Sequence, residues 1–139
     1  MSLRKVVVDC SAAVPWFFPE EADISVSLLF KQMRQKRVAC IAPSLLITEF
    51  GNTAWKKVRR GVCSENFAVT QFACFKKLPI NFLDAGVLAT SALQFAVKHS
   101  ITVYDSLYIC CALFMQAELA TQDSLLAETA CRCGIAVFA

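Results

Sequence analysis

The chain has 139 residues, of which 57% are hydrophobic, and its net charge at pH 7 is +3. This length predicts a single domain, residues 1–139, with one sizeable core. The longest unbroken apolar run has nine residues, at 107–115, whereas a spanning helix needs roughly 20; since the N-terminus also lacks the features of a signal peptide, a cytoplasmic protein with no membrane segment is predicted.

Short apolar runs alternate with helical patterns along the chain. Five segments are predicted to form strands, at residues 3–8, 37–42, 80–83, 118–121 and 135–138. Helical or turn segments are predicted between them, at residues 11–18, 20–35, 44–60, 64–76, 84–98, 105–116 and 123–131. Ser44, Ser64 and Asp84 are suited to cap helices, because their side-chain oxygens can accept hydrogen bonds from the first backbone N–H groups. Residues 101–103 are predicted to be a connector.

This alternation predicts the α/β fold class, with a parallel sheet covered by helices on both faces. Parallel neighbours need crossover connections, and these are right-handed. In sheets of this kind, functional sites form beyond the carboxyl ends of the strands. Asp9 and Asp123 follow the first and fourth predicted strands, so both are expected at that edge.

Four acidic residues lie beside apolar runs, where a charge is least expected: Asp9, Glu49, Asp105 and Asp123. A carboxylate near a core is costly unless something neutralises it. If the four converge on one concavity, a divalent metal ion would neutralise them, and oxygen-only ligands suit Mg²⁺ or Mn²⁺. Such an ion lowers the pKa of bound water and orients it for in-line attack, so the pattern indicates metal-assisted phosphodiester chemistry.

Each acidic residue also has a purely structural interpretation. The three aspartates could cap helices, because a carboxylate in a first turn satisfies unpaired N–H groups. On a helical wheel Glu49 shares a face with Asn52, Lys56 and Arg60, and such a face can simply be solvated. The functional alternative is that Glu49 reaches a metal ion while the two cations meet nucleic-acid phosphate.

Other kinds of site have little support in the residue types. His99 is the only histidine, and interaction with a helix dipole explains its position, so no histidine base is expected. The eight cysteines show no paired C-x-x-C spacing, which argues against zinc and favours reduced thiols. No glycine-rich phosphate loop is present in the sequence. Ser11 and Thr121 could orient a carboxylate or a metal-bound water, or could be plain caps.

Four motifs carry the acidic residues, in this order along the chain: Val-Val-Val-Asp9-Cys-Ser11, Pro43-Ser-Leu-Leu-Ile-Thr-Glu49-Phe-Gly-Asn52, Val-Tyr104-Asp105-Ser-Leu-Tyr108 and Leu-Ala-Thr121-Gln-Asp123-Ser-Leu-Leu-Ala. Together they resemble the PIN-domain family, and most of all the VapC-type toxins of toxin–antitoxin pairs. The resemblance extends over residues 5–138. Each motif alone is weak, and the combination makes the likeness specific.

The resemblance implies a three-layer α/β/α PIN-like fold with a five-stranded parallel sheet. It also implies an endoribonuclease dependent on Mg²⁺ or Mn²⁺, in which the four acidic residues bind the metal and activate water. Ser11, Asn52 and Thr121 match supporting polar positions, and Lys56 and Arg60 would contact RNA or the antitoxin. Such toxins usually form homodimers, and a cognate antitoxin inserts a segment that blocks the site.

Two other classes of function remain as alternatives. One is a non-catalytic binding or regulatory module of the same fold, with its acids kept for metal-dependent structure or partner docking. The other is a phosphotransfer or phosphatase domain, which would need an adjacent acidic pair or a second acid two residues after Asp9, where this chain has Ser11. Many relatives carry a charged residue after the last aspartate, where this chain has Ser124 and Leu125, and this leaves open whether one or two metal ions bind.

Overall fold

A computed structural model describes residues 3–19 and 22–139 of the chain. Its strands are β1 (Arg4–Val8), β2 (Val38–Pro43), β3 (Ile80–Leu83) and β4 (Glu118–Ala120). Its helices are α1 (Cys10–Ala13), α2 (Ile24–Arg34), α3 (Leu45–Arg59), α4 (Glu65–Lys76), α5 (Ala85–His99), α6 (Val103–Met115) and α7 (Ser124–Arg132), and a 3-10 helix, Val14–Trp16, follows α1.

The strands form a parallel sheet in the order β3-β2-β1-β4. In β1, Val7 pairs with Ile41 on one side and with Leu119 on the other. The chain winds in one direction from β1 to β3 and then crosses back to β4, so the winding reverses between β1 and β4. In open α/β sheets ligands bind at this reversal, outside the carboxyl ends of the strands. Here the residues that follow the two strands are Asp9 and Thr121.

Helices cover both faces of the sheet, which confirms the predicted α/β/α layers. Right-handed crossovers place α1 to α4 on one face, and α5 and α6 on the other. The central strand β1 is accordingly buried on both sides, and Val6, Val7 and Val8 have no exposed surface. A continuous run of branched apolar residues is what a parallel strand covered on both faces requires.

An aromatic cluster fixes α3 against the first face of the sheet. The ring of Phe50 in α3 stacks on Phe75 in α4, with centroids 4.1 Å apart and planes 4° from parallel. Phe17, which follows the 3-10 helix, meets both rings edge to face. Such ring pairs add to the stabilisation that burial alone provides. Because Phe50 is fully buried, the rotation of α3 about its axis is set, and the neighbouring Glu49 turns towards α6.

The prediction of five strands is wrong by one strand, because the described residues form a four-stranded sheet. The segment 135–138, predicted as the fifth strand, makes only an isolated bridge between Leu119 and Val137. Its hydrogen bonds run to Leu119, from Phe138 N–H to the Leu119 carbonyl and from Leu119 N–H to the Ala136 carbonyl. Since β4 itself has only three residues, it offers too short an edge for a fifth strand.

Several helix boundaries differ from those predicted. α6 begins at Val103, in the predicted connector, because the Thr102 side chain caps it by accepting from the Asp105 N–H at 3.1 Å. Of the helix predicted at residues 20–35, the part that the structure describes begins at Ile24, and residues 20 and 21 lie outside the described residues. Ser64 and Asp84 cap α4 and α5 as predicted.

Ser44 precedes α3 as predicted, but its side chain does not cap that helix. The Ser44 hydroxyl instead accepts a hydrogen bond of 2.9 Å from the Ala85 backbone N–H. The backbone of Ser44 is already helical, so its oxygen points away from the first N–H groups of α3. This bond ties the end of β2 to the start of α5.

The most apolar helix, α6, is a core element of the sheet's second face. Its residues 106–112 are buried without interruption. At thirteen residues it is too short to cross a bilayer. Among the residues described, no helix is both long and apolar enough to be a membrane span.

Candidate active site

Asp9 is the most constrained of the predicted site residues. It directly follows β1 and is 6% exposed. Its Oδ1 accepts hydrogen bonds from the Ser11 hydroxyl at 2.8 Å and from the Ala12 N–H at 3.0 Å, and its Oδ2 accepts one from the Thr121 hydroxyl. Asp9 therefore does cap α1, as the structural interpretation predicted, and it is also fixed to the loop after β4.

Ser11 and Thr121 form the link between the loops that follow β1 and β4. Their hydroxyl oxygens lie 3.2 Å apart. The Ser11 hydroxyl also accepts from the Gln122 backbone N–H at 2.8 Å, and the Gln122 side-chain amide donates to the Ser11 carbonyl at 2.9 Å. The prediction that both hydroxyls orient a carboxylate agrees with this geometry. The network holds Asp9 in one rotamer at the point where the sheet winding reverses.

Glu49 reaches the same region from α3. The Tyr108 hydroxyl of α6 donates a hydrogen bond to Glu49 Oε1, so helices from opposite faces of the sheet meet at its carboxyl edge. Burial, together with the neighbouring Glu49 carboxylate, raises the pKa of Tyr108, which keeps its hydroxyl protonated as a donor.

The four carboxylates are close enough to influence one another's ionisation. Burial raises the pKa of Asp9 to about 6, and the charge of Asp123 adds to this shift. Burial also raises the pKa of Glu49, and the charge of Asp105 adds to that shift. Burial likewise raises the pKa of Asp105, and the charge of Asp123 adds to that one. Each acid thus faces at least one other, and the chain of repulsions joins all four. The structure places the predicted quartet at one edge of the sheet, near enough for this pairwise electrostatic influence.

Asp123 has two roles in the structure. Its Oδ1 accepts hydrogen bonds from the N–H groups of Leu125 and Leu126, so it caps α7 as predicted. It is nevertheless exposed and acts electrostatically on Asp9 and Asp105. Capping engages Oδ1, and within the described residues no hydrogen bond is recorded for Oδ2.

Asn52, Lys56 and Arg60 lie outside this cluster. Asn52 and Lys56 are exposed on α3 and Arg60 is exposed at its C-cap, and within the described residues no hydrogen bond ties them to the carboxylates. The shared helix face that the sequence predicted is therefore a surface that leads away from the site.

Tyr108 and Gln122 are site residues that the sequence reasoning missed. Tyr108 comes three residues after Asp105, and residues at this spacing share a helix face, so the signal was present. Gln122 lies between Thr121 and Asp123, and no periodicity in a loop could have shown that its amide returns to Ser11.

The donor set of this site suits a hard divalent cation in its chemistry. Its acidic groups supply only oxygen, and a positive ion would offset the burial and repulsion that raise the pKa values of Asp9, Glu49 and Asp105. In the described part of the chain, no three acidic, histidine or cysteine side chains are gathered tightly enough to form a metal-binding group. Asp9, Glu49, Asp105 and Asp123 are the acids that would hold such an ion, and they would have to draw closer together around it.

Comparison with curated proteins identifies a relative over nearly the whole chain. Ribonuclease VapC3 of Pyrobaculum aerophilum is 33% identical over 128 residues, which are 89% of this chain and 93% of that protein. No protein-family model matches the chain.

Solved structures with similar folds come from three organisms. The crystal structure of PAE2754 from Pyrobaculum aerophilum has a TM-score of 0.69 at 24% identity and covers 90% of this chain and 78% of that chain. VapC20 of Mycobacterium tuberculosis, described as a sarcin-ricin loop cleaving toxin, has a TM-score of 0.64 at 15% identity and covers 89% and 94%. FitAcB from Neisseria gonorrhoeae has a TM-score of 0.56 at 15% identity and covers 96% of each chain. At these identities the likeness concerns the fold.

Proposed function

The chain belongs to the VapC-type family of PIN-domain ribonuclease toxins, and from this premise we propose that it is an endoribonuclease whose active site is the carboxylate cluster. The observation that carries the proposal is the placement of Asp9. It is buried, its pKa is raised to about 6, and it feels the charge of Asp123, which in turn acts on Asp105 as Asp105 acts on Glu49. Perturbed carboxyl groups at a sheet's ligand-binding edge are typical of functional sites.

Asp9, Glu49, Asp105 and Asp123 would hold the divalent cation, with Mg²⁺ or Mn²⁺ as the matching ions. When bound, such an ion supplies an activated water at neutral pH and neutralises charge on the reacting phosphate. Asp9 contributes a carboxylate whose rotamer is locked by Ser11, Thr121 and the Ala12 N–H. A ligand that is oriented before binding loses little conformational freedom on binding.

Glu49 is oriented in the same way from the opposite side of the site. The Tyr108 hydroxyl bonds one of its oxygens and favours its charged form, while the other oxygen can face the cation. Asn52, one turn further along α3, is exposed and placed to contact the RNA strand. Lys56 and Arg60 continue the same surface and would attract phosphate or the acidic groups of an antitoxin.

We also propose the partners that the family relationship implies. These are an RNA substrate, a cognate antitoxin that blocks the site, and a second copy of the chain in a homodimer. Exposed apolar residues such as Val87, Val97 and Phe114, which are 68%, 76% and 66% exposed, offer surface for such contacts. The cytoplasm, where its RNA substrate would be found, is the proposed location.

The experiment that tests the function is incubation of the purified protein with total RNA. With Mn²⁺ present, discrete fragments are expected, and mapping of their ends should give a small set of cleavage sites. With excess EDTA no fragments should form, because the carboxylates alone cannot activate water. Equal cleavage in Mn²⁺ and EDTA would contradict metal-assisted chemistry.

The second candidate function is a non-catalytic PIN-fold binding or regulatory module. It is favoured by one observation, that the described residues contain no ready metal-binding group. Under this alternative the protein binds RNA or a partner but releases no fragments at any Mn²⁺ concentration. The same incubation, followed by a gel-shift assay, separates the two candidates.

Tyr108→Phe is expected to lower kcat/KM for RNA by roughly tenfold to a hundredfold, the range for loss of a bond that orients a metal ligand. Phenylalanine keeps the packing of the ring, which is 2% exposed, but leaves Glu49 without its hydroxyl donor. Mn²⁺ affinity, measured by titration calorimetry, should fall with activity. Tyr104→Phe on the same helix is the matched control, since Tyr104 is 62% exposed, and an equal loss in both variants would refute the role of Tyr108.

A further inference from the structure

A groove with a volume of about 260 Å³ runs between α3 and α4, on the side of α3 away from Glu49. Its walls and floor include Gly51, Ala54, Trp55, Ala68, Val69 and Phe72. Neither the fold nor the carboxylate site requires a groove here, because adjacent helices usually close such a gap with larger side chains.

The groove exists because the residues between the helices are small. Ala54 and Ala68 are each 5% exposed and form its floor. A Cβ atom added to Gly51 would lie 3.1 Å from Cε2 of the Phe72 ring, so even alanine at this position would crowd the ring. A methyl group at residue 51 is therefore enough to narrow the groove without touching the carboxylate site.

The walls of the groove have aromatic rings with cations beside them. Trp55 is 53% exposed, and the Arg59 guanidinium lies 5.4 Å from its ring centroid. On the opposite wall, Lys76 Nζ lies 5.2 Å from the centroid of Phe72. Unpaired RNA bases are bound by aromatic and guanidinium planes, while cations hold the adjoining phosphates. The groove has both components.

The groove also lies within reach of the carboxylate cluster along α3. Trp55 comes six residues after Glu49, which is about 9 Å along the helix axis and about 120° around it. Between them the exposed face of α3 carries Asn52, and Lys56 and Arg59 follow. A strand with one phosphate at the carboxylates would pass these polar groups, and a nearby base would reach Trp55.

One polar group could read the identity of such a base. Glu65, in the first turn of α4, is the acidic residue that lines the groove. A carboxylate only accepts hydrogen bonds, so it pairs with an exocyclic amino group of a base. Uracil has no amino group, and its one donor on that edge, N3–H, lies between two carbonyl oxygens that would repel the carboxylate.

We propose that the α3–α4 groove binds one unpaired, amino-bearing base of the RNA close to the cleavage site, with Trp55 as its stacking residue and Glu65 as its reader. This inference rests on the proposed ribonuclease function and adds a specificity determinant to it. Trp55 does not act on the reacting phosphate, so its effect is on affinity and on which sequences are cut.

The test measures binding in EDTA, so that cleavage plays no part. Fluorescence anisotropy of labelled single-stranded RNA, with each nucleotide in turn replaced by an abasic unit, is compared for the wild type and Trp55→Ala. Trp55→Ala should weaken binding to intact RNA by roughly tenfold, within the range for a base–aromatic stack. It should cause no further loss on RNA that is abasic at the one position the groove binds.

Gly51→Ala is the second variant, since it narrows the groove and keeps the tryptophan. It should reproduce the loss of affinity caused by Trp55→Ala at the same nucleotide.

Glu65→Gln should relax the discrimination against uracil at that nucleotide, which would be visible both in binding and in mapped fragment ends. Val62→Ala is the control, because Val62 is 60% exposed and does not line the groove; its binding should match the wild type.

Four results would overturn the proposal. If Trp55→Ala loses affinity equally at every abasic position, the tryptophan contributes only to folding or to general attraction. If Trp55→Ala and Gly51→Ala leave RNA affinity unchanged but weaken self-association in sedimentation, the groove is a protein interface. If the wild type neither binds nor cuts RNA, the proposed ribonuclease function fails together with the base pocket. If Trp55→Ala cuts RNA normally and with an unchanged sequence preference, only the proposed base pocket is refuted and the ribonuclease function stands.

Discussion

Asp9→Asn is expected to lower RNA cleavage by at least about a thousandfold while making the metal-free protein more stable at pH 7. The loss of activity follows from removing the buried negative charge of the proposed metal site. Metal-derived charge stabilisation supplies several kcal/mol of the barrier reduction, and each 1.36 kcal/mol corresponds to a factor of ten in rate. Asparagine has nearly the same shape, so the packing around residue 9 is preserved.

The gain in stability follows from the pKa of about 6 that the Asp9 carboxyl has in the folded protein. An aspartate in the unfolded chain has a pKa near 3.9, so folding at pH 7 confines a charge that its surroundings disfavour. The cost is on the order of 1–3 kcal/mol at 1.36 kcal/mol per pKa unit. Asparagine removes that charge, and its carbonyl oxygen can still accept from Ser11 and the Ala12 N–H.

Urea unfolding in EDTA at pH 7 measures the stability of the Asp9→Asn variant, and fragment yield from RNA in Mn²⁺ measures its activity. Asp84→Asn is the matched control, since Asp84 is an exposed helix cap whose carboxylate accepts from the Gly86 N–H. That variant should keep full activity. A destabilised Asp9→Asn protein would mean that the carboxylate serves the fold, and retained cleavage would place the active site elsewhere.

The positions of Asp9 and Asp123 could be predicted from the sequence because they depend on local order. Each follows an apolar run that ends a strand, and parallel strands bring their carboxyl ends to one edge. The pairing of Ser11 with Thr121 across 110 residues could not be derived in this way. It depends on β4 lying beside β1, which the alternation of strands and helices leaves open.

The contact between Tyr108 and Glu49 depends on packing rather than on pattern. The rotation of α3 is set by Phe50 on Phe75, and the burial of α6 directs Tyr108 to the same edge of the sheet. The prediction of a fifth strand at residues 135–138 is wrong for a different reason. Residues 135–138 have the composition of a strand, but their neighbour β4 has three residues and supports only the bridge between Leu119 and Val137. Composition contains no information about the length of a neighbouring strand.

The metal-free wild type is expected to lose stability as the pH rises from about 4 to above 6. Burial raises the pKa values of Asp9, Glu49 and Asp105, so over this range the folded state keeps protons that the unfolded chain has released. Stability falls with pH wherever the folded state binds more protons. The stability that these three groups contribute is fully present below the pKa values that they have in the unfolded chain. It is lost as the pH rises through the pKa values that they have in the folded protein.

A divalent cation should reverse this loss at pH 7, because it replaces the protons as the positive charge in the site. A ligand at a hundred times its dissociation constant stabilises the folded state by about 2.7 kcal/mol, and protons compete with it at lower pH. Urea midpoints with Mn²⁺ and with EDTA, measured at pH 5 and pH 7, should therefore differ strongly only at pH 7. Asp84→Asn should show the full response and Asp9→Asn little of it. An equal Mn²⁺ effect in both variants would show that the ion binds elsewhere, because at the proposed site Asp9 both binds the ion and changes the pH dependence of stability.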